Sequence, residues 1–282
     1  MACETPFYVK GPSTFERHIP VPCGRCPLCR RRRVNEWVFR MQKEDEVSTS
    51  SYFVTLTYDT NFVPITKNGF LTLDKSDVQK YMKRLRKAQA KTTDTKIRYY
   101  FVGEYGTKND RPHYHAIIFN VHNEELIHKS WNLGQVVIGT VGGPSIAYTV
   151  KYLDKPYKIP VHDRDDRQKE FQLQSKGLGK NYLTKSMVAY HKADITRNYV
   201  TTQGGHKLPL PRYYRKKMYT EDEQRQQRAH ARLRTAVSDE KLMHKFTVLY
   251  GDNPPFSFDE WKVSAVMGRQ ERAENNYKTR TL

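Results

Sequence analysis

Apolar side chains at Val34, Trp37, Val38 and Met41 recur at helical spacing in 34-VNEWVFRMQKEDE-46 and predict a helix. The next segment, 51-SYFVTLTYD-59, crowds β-branched and aromatic residues into a strand's length with a polar end. Helical spacing returns in 76-SDVQKYMKRLRKAQA-90. There Ser76 offers an N-cap and Val78, Tyr81, Met82 and Leu85 form an apolar face ringed by Lys80, Lys83, Arg84, Arg86 and Lys87. Two strands follow, 97-IRYYFVGEYG-106 and 112-PHYHAIIFN-120, with connecting-loop chemistry in 105-YGTKNDR-111 between them. The segment 135-QVVIGTV-141 predicts another strand. Pro144 suits a first helical turn and Pro156 limits continuation, which predicts a helix from about 144 to 155.

This order of elements predicts an α+β fold, an antiparallel central sheet flanked by helices, with the helices packed on one face. Residues 46–160 make the core. Residues 1–45 form a Cys-rich and Arg-rich segment with a helix, and 161–282 a basic, partly helical extension. Within that extension 176-KGLGKNYLTK-185 is glycine-rich and basic but lacks the phosphate-cradling GxxxxGK[ST] pattern, so no ATPase is read here. The stretch 208-LPLPRYYRKK-217 is proline-stiffened, basic and aromatic. Thr220 and Glu223 are spaced as a capping box that opens a charged helix running to about Phe246, polar on most sides like a solvated arm. No internal repeats are present.

Charge narrows the partner. The 282 residues carry 49 Lys and Arg against 30 Asp and Glu, a net charge of +19. That excess favours an acidic polymer, nucleic acid first. No apolar run approaches a membrane span, and MACETPFYVKGPSTFERH lacks the layout of a secretory signal, so a cytoplasmic protein off the membrane is expected.

Cysteine spacing adds a metal. Three of the four cysteines sit in 23-CGRCPLC-29, too close together to pair well as disulfides. Cys23, Cys26 and Cys29 supply three thiolates, and Cys3 is the one other cysteine that can complete a tetrahedral shell. Zinc is the first reading, an iron–sulfur cluster the second, and free thiols beside an unstructured arm the bland one. A metal-pinned loop would hold the following Arg30, Arg31, Arg32 and Arg33 where phosphates could meet them.

A second constellation lies in the core. In the strand RPHYHAIIFN, alternation puts His113 and His115 on one face and Tyr114 on the other. Two imidazoles so placed could share a metal ion, or both could be satisfied polar residues at a strand mouth. Glu104 ends the preceding strand, and an antiparallel hairpin would bring its carboxylate to the pair, unless it is simply a surface carboxylate. Such a set leaves open coordination positions for phosphate oxygens. Asp59 is a weaker candidate for a ligand or a supporting partner. In YTVKYLDK, Tyr148 and Tyr152 are four apart on one helical face, and Lys151 and Lys155 each follow a tyrosine by three. A phenol is a poor nucleophile near neutral pH, and nearby cations favour its phenolate. The alternative is a basic amphipathic helix whose tyrosines pack.

FVTLTYD, PHYHAIIF and YTVKYLDK, in that order, resemble the three motifs of HUH endonucleases, and the paired tyrosines resemble their two-tyrosine class. PCGRCPLCRRRR followed by EW and R, GEYG before RPHYH, and the later LPRYYRKK make the likeness nearest to the rolling-circle replication initiators of microviruses, in particular the gokushovirus branch. It covers roughly residues 20 to 217. The resemblance implies Mg²⁺ or Mn²⁺ held by His113, His115 and Glu104, with Tyr148 or Tyr152 attacking single-stranded DNA at a replication origin. The products would be a 5′-phosphotyrosine and a 3′-hydroxyl primer, with Lys151 and Lys155 offsetting charge. Arg30, Arg31, Arg32, Arg33 and Arg111 are then candidate DNA contacts. The expected setting is the cytoplasm of a bacterial host, with host helicase and polymerase completing replication. The competing readings are an HUH transposase or relaxase, and a non-catalytic, zinc-stabilised nucleic-acid-binding protein whose tyrosines stack on bases.

Overall fold

The computed structural model describes residues 3, 6–10, 18–106, 109–151, 159–202, 204–251, 253–262, 264–265 and 268. The chain divides into two compact units, one of Met1–Arg33 with Lys185–Leu282 and one of Val34–Thr184. The second unit begins before and ends after the 46–160 span marked out by the hydrophobic pattern.

The N-terminal hairpin pairs β1 (Phe7–Lys10) with β2 (His18–Val21), Phe7 lying opposite Val21. Helix α1 then runs Pro27–Asp45. It starts seven residues ahead of the apolar stripe, so Cys29 and Arg30 to Arg33 lie in a helix and not on the loop expected for them. The reason is local. Proline at the first helical position gives up an N–H that has no intrahelical acceptor anyway, and leucine and arginine are good helix formers.

The sheet unit contains β3 (Ser51–Thr57), α2 (Lys75–Gln89), β4 (Arg98–Tyr105), β5 (Pro112–Phe119), α3 (Glu125–Ser130), β6 (Val136–Thr140), α4 (Gly143–Lys151) and β7 (Phe171–Gln174). The strand order is β6-β3-β5-β4-β7, and every neighbouring pair is antiparallel. The antiparallel sheet with flanking helices is therefore as the pattern predicts. Its helices, however, cover both faces. Val54, Leu56, Phe101, Tyr114, Ala116 and Ile118 pack with Val78, Tyr81, Met82 and Leu85 of α2 and Ile127 of α3. On the opposite face Tyr100, Val102, Ile117 and Phe119 pack with Trp37, Val38 and Met41 of α1 and Ile146 and Val150 of α4. Strands β4 and β5 are apolar at both alternations, and a sheet so built needs cover on both sides.

Two ties hold the second face together. Glu44 of α1 pairs with Arg98 of β4 and accepts from the Gly179 amide at 2.7 Å. Arg40 donates twice to the Leu178 carbonyl at 3.1 Å. On the first face the N-cap of α2 is Asp74, whose carboxylate accepts from the Ser76 amide at 2.7 Å. Ser76, the expected cap, sits inside the first turn. Of the expected α4, the part beyond Lys151 lies outside the described residues.

The other unit continues with α5 (Lys185–Lys192), the antiparallel pair β8 (Tyr199–Thr201) and β9 (Lys207–Pro209), α6 (Arg212–Met218) and α7 (Glu221–Tyr250). Thr220 and Glu223 form the expected capping box. Helix α7 extends four residues past Phe246, and most of it is exposed apart from Gln227 and Phe246. Phe246 packs among Tyr250, Phe256, Phe258 and Trp261. Among the described residues no helix is long and apolar enough to cross a membrane.

Candidate metal centre and tyrosine site

The register places the candidate donors directly. Glu104 of β4 lies opposite His113 of β5, while Thr57 and Thr55 of β3 lie opposite His113 and His115. The strand period then turns Glu104, His113 and His115 to the face covered by α1 and α4. Tyr114 points the other way and locks this register. Its ring is fully buried, and its hydroxyl donates to the Asp74 carbonyl at 3.0 Å and meets the Tyr58 hydroxyl at 2.8 Å. The Tyr58 hydroxyl in turn donates to Asp77 at 2.9 Å, and burial pushes the Tyr114 phenol well above its ordinary value. A one-residue slip of β5 would bury the imidazoles in this network and lift Tyr114 out of it.

His113 Nε2 lies 2.7 Å from Glu104 Oε1, and His115 Nε2 lies 3.3 Å from the same oxygen. One ligand atom from each residue falls within 4.8 Å of the others. The far ring nitrogens are both engaged. His113 Nδ1 lies 3.1 Å from the Arg111 carbonyl, which can only accept, so Nδ1 carries the proton. His115 Nδ1 lies 3.0 Å from Thr55 Oγ1. Partners on Nδ1 aim Nε2 at the common point, the usual arrangement behind metal-binding imidazoles. Glu104 is 2% exposed and His115 5% exposed, which leaves the site open mainly beside His113. Two imidazoles and one carboxylate fit a divalent ion with positions to spare. Imidazole suits transition metals such as Mn²⁺, whereas Mg²⁺ prefers oxygen.

Helix α4 brings the phenol. Ile146 and Val150 anchor it on the sheet, and Thr149 is buried with its hydroxyl on the Ser145 carbonyl at 2.9 Å. This sets Tyr148 over the donors. Its ring centroid is 5.3 Å from that of His115 at 76° and 6.1 Å from that of Phe53 at 85°. Phe53 also stacks on His115 at 5.7 Å. Tyr148 is 42% exposed, so the phenol borders the site and still faces solvent. Lys151 is the last residue of α4, and Tyr152 and Lys155 lie outside the described residues.

Three sequence expectations come out differently in detail. Asp59 does not join the donors; it is exposed, and its carboxylate accepts from the Asn61 amide at 2.9 Å to close a turn. Arg111 is half-buried, donates to the Tyr58 carbonyl at 2.7 Å, and supplies the carbonyl that orients His113. It braces the hairpin whether or not it also meets DNA. Arg30 and Arg33 donate to the loop carbonyls of Arg25 and Gly24 at 2.8 and 2.9 Å, while Arg31 is exposed. Thr55 and Phe53, which sequence reasoning missed, share the site's face through cross-strand register. Their one sequence signal is the alternation of β3 itself.

In the other unit the four cysteines converge, with their sulfurs all within 4.8 Å of one another. Cys3 Sγ and Cys26 Sγ are 3.8 Å apart, and none of the four is in a disulfide. Burial first, and the neighbouring thiols of Cys26 and Cys3 after it, push the Cys29 thiol up to about 12.

Residues 51–157 match a family model of phage-type replication-associated proteins, described by its ORF2 members. The chain is 28% identical over 212 residues to replication-associated protein VP4 of Bdellovibrio phage phiMH2K, covering 68% of this chain and 65% of that protein. It is 28% identical over 219 residues to replication-associated protein ORF2 of Spiroplasma virus 4, covering 71% and 68%. With replication-associated protein ORF4 of Chlamydia phage 1 it shares 24% over 230 residues, covering 72% and 55%. The aligned stretch thus spans just under two thirds of the phiMH2K protein's own length. No solved structure matches. Strands β3 to β6 with the donors, and α4 with Tyr148, all fall inside the matched region: the chain is a relative of the phage replication-associated proteins and carries the region that defines their family model at residues 51–157.

Proposed function

We propose that the chain is a site-specific single-stranded DNA endonuclease and strand-transferase that starts and ends rolling-circle replication of a phage genome. The observation that carries this reading is the meeting of Tyr148 with His115, on the same sheet face as Glu104 and His113. A nucleophile and a cation site then border one space open to solvent.

A divalent ion, Mg²⁺ or Mn²⁺, bound there would draw charge from the scissile phosphate and so stabilise the transition state. Glu104, His113 and His115 hold that ion, and Thr55 and the Arg111 carbonyl keep the two rings aimed. The Tyr148 oxygen attacks phosphorus and gives up its proton. The P–O3′ bond breaks, the departing oxygen takes up a proton as the 3′-hydroxyl, and the 5′-phosphate stays on tyrosine. Because one ester replaces another, a later 3′-hydroxyl can reverse the linkage and close a circle. Tyr152, four residues on, would serve as the second nucleophile when the completed origin is cut again. Lys151 and Lys155 would offset phenolate charge. Arg30, Arg31, Arg32, Arg33 and Arg111 would meet phosphates of the strand. In this reading the protein works in the cytoplasm of a bacterial host, which supplies helicase and polymerase.

The test is a labelled single-stranded oligonucleotide spanning the phage origin, incubated with protein and Mn²⁺. A covalent adduct that requires metal and disappears in the Tyr148→Phe/Tyr152→Phe double variant is expected. Retarded mobility without any covalent adduct, in wild type and variant alike, would leave a binding protein in place of an enzyme.

A further inference from the structure

The β1–β2 hairpin has no apolar core. Along β1, Phe7, Tyr8 and Val9 are 51%, 65% and 44% exposed. An isolated two-stranded hairpin is marginal in water, and small segments of this kind need a staple. Cys3 lies just before β1, Cys23 just after β2, and Cys29 in the first turn of α1. We propose that Cys3, Cys23, Cys26 and Cys29 hold one zinc ion as a closed tetrathiolate, and that this ion fastens the open end of the hairpin to the start of α1.

The geometry fits the ion's size. With Zn–S near 2.3 Å, a regular tetrahedron puts its sulfurs about 3.8 Å apart. The Cys3–Cys26 separation is 3.8 Å, and every other pair lies within 4.8 Å. A disulfide, at about 2.05 Å, would draw two sulfurs together and away from the rest. A cubane iron–sulfur cluster would stand between the thiolates and spread them further than this.

The backbone is folded for thiolate charge. The amides of Arg25 and Cys26 both donate to Cys23 Sγ at 3.3 Å, and the Cys23 amide donates to Cys3 Sγ at 3.2 Å. Gly24 makes that turn at φ +73, a conformation that side-chain-bearing residues rarely adopt. The Arg30 amide donates to the Cys26 carbonyl at 3.0 Å, so the cluster sits at the helix's positive end, where anionic sulfur is favoured. Arg30 and Arg33 reach back to the carbonyls of Arg25 and Gly24 and close the loop around it. Four protein ligands leave zinc no open position, so the site is structural rather than catalytic.

Zinc content of the purified full-length protein, measured after passage over a chelating resin, tests this independently of DNA cleavage. About one zinc per chain is expected in wild type and in His113→Ala, with loss of that zinc in Cys26→Ser. Co²⁺ exchanged into wild type should give the strong visible bands of tetrahedral sulfur coordination, a readout that needs no variant to fold. Stripping the zinc should speed tryptic cleavage after Arg25 by about tenfold or more, as the hairpin opens. Zinc that is absent from wild type, replaced there by iron, or lost from His113→Ala but retained in Cys26→Ser would overturn the proposal. So would octahedral cobalt spectra.

Discussion

Glu104, His113 and His115 were legible because strand alternation and a short hairpin suffice to bring them together. Thr55 was not, since its contact with His115 depends on which residue of β3 falls opposite which residue of β5. Asp59 misled because a carboxylate at a strand end can turn inward or cap a turn, and local pattern does not distinguish the two. The Thr55 hydroxyl aims His115, and losing such a supporting contact commonly weakens metal affinity by about 10–100-fold. Thr55→Val should therefore raise the Mn²⁺ concentration at half-maximal adduct formation by about tenfold with little change in stability. An unchanged metal requirement would remove Thr55 from the site.

A second residue pair governs acid stability. Asp165 accepts from Arg167 Nε at 2.8 Å and from the Val161 amide at 2.9 Å. The Arg167 guanidinium, foremost, holds this carboxyl well below the usual carboxylate range. A depressed folded-state pKa stabilises the fold above the unfolded value near 4, and the contribution fades as pH falls toward the folded value. Urea denaturation of Asp165→Asn should show lower stability than wild type at pH 7 and a smaller loss between pH 7 and 3. Parallel pH dependences would contradict this.

At the scale of elements, long periodic segments were readable and their starts were not. The apolar stripe of α1 begins at Val34, yet the helix begins at Pro27, because Leu28, Cys29 and Arg30 to Arg33 are compatible with helix without contributing to the stripe. For α2, Ser76 and Asp74 are both capping residues, and only the backbone shows that Asp74 is in extended conformation with its carboxylate on the Ser76 amide. Asp74→Ala should cost about 1 kcal/mol of unfolding free energy, and Ser76→Ala much less. Reversal of that order in urea denaturation would show that the cap had been misassigned. Strands β7, β8 and β9 went unread, as each has only three or four residues and too few alternations to set a period.

For the whole molecule, the α+β class follows from the order of elements, whereas the double-sided cover of the sheet does not. Apolar residues at both alternations of β4 and β5 were the available signal, and the position of α2 opposite α1 and α4 completes it. Net charge is a property of the entire chain. If Arg30, Arg31, Arg32, Arg33 and Arg111 each neutralise one phosphate, log K for single-stranded DNA should fall with log salt at a slope of about −3.5. A flat response would detach the +19 charge from DNA binding.

The most direct test of the proposed chemistry is tandem mass spectrometry of the adduct formed with origin single strand and Mn²⁺. The predicted result is nucleotide mass on the peptide bearing Tyr148, lost on Glu104→Ala or His113→Ala in a protein that remains folded. Nucleotide only at a tyrosine elsewhere in the chain, or undiminished labelling without the Glu104, His113 and His115 donors, would contradict it.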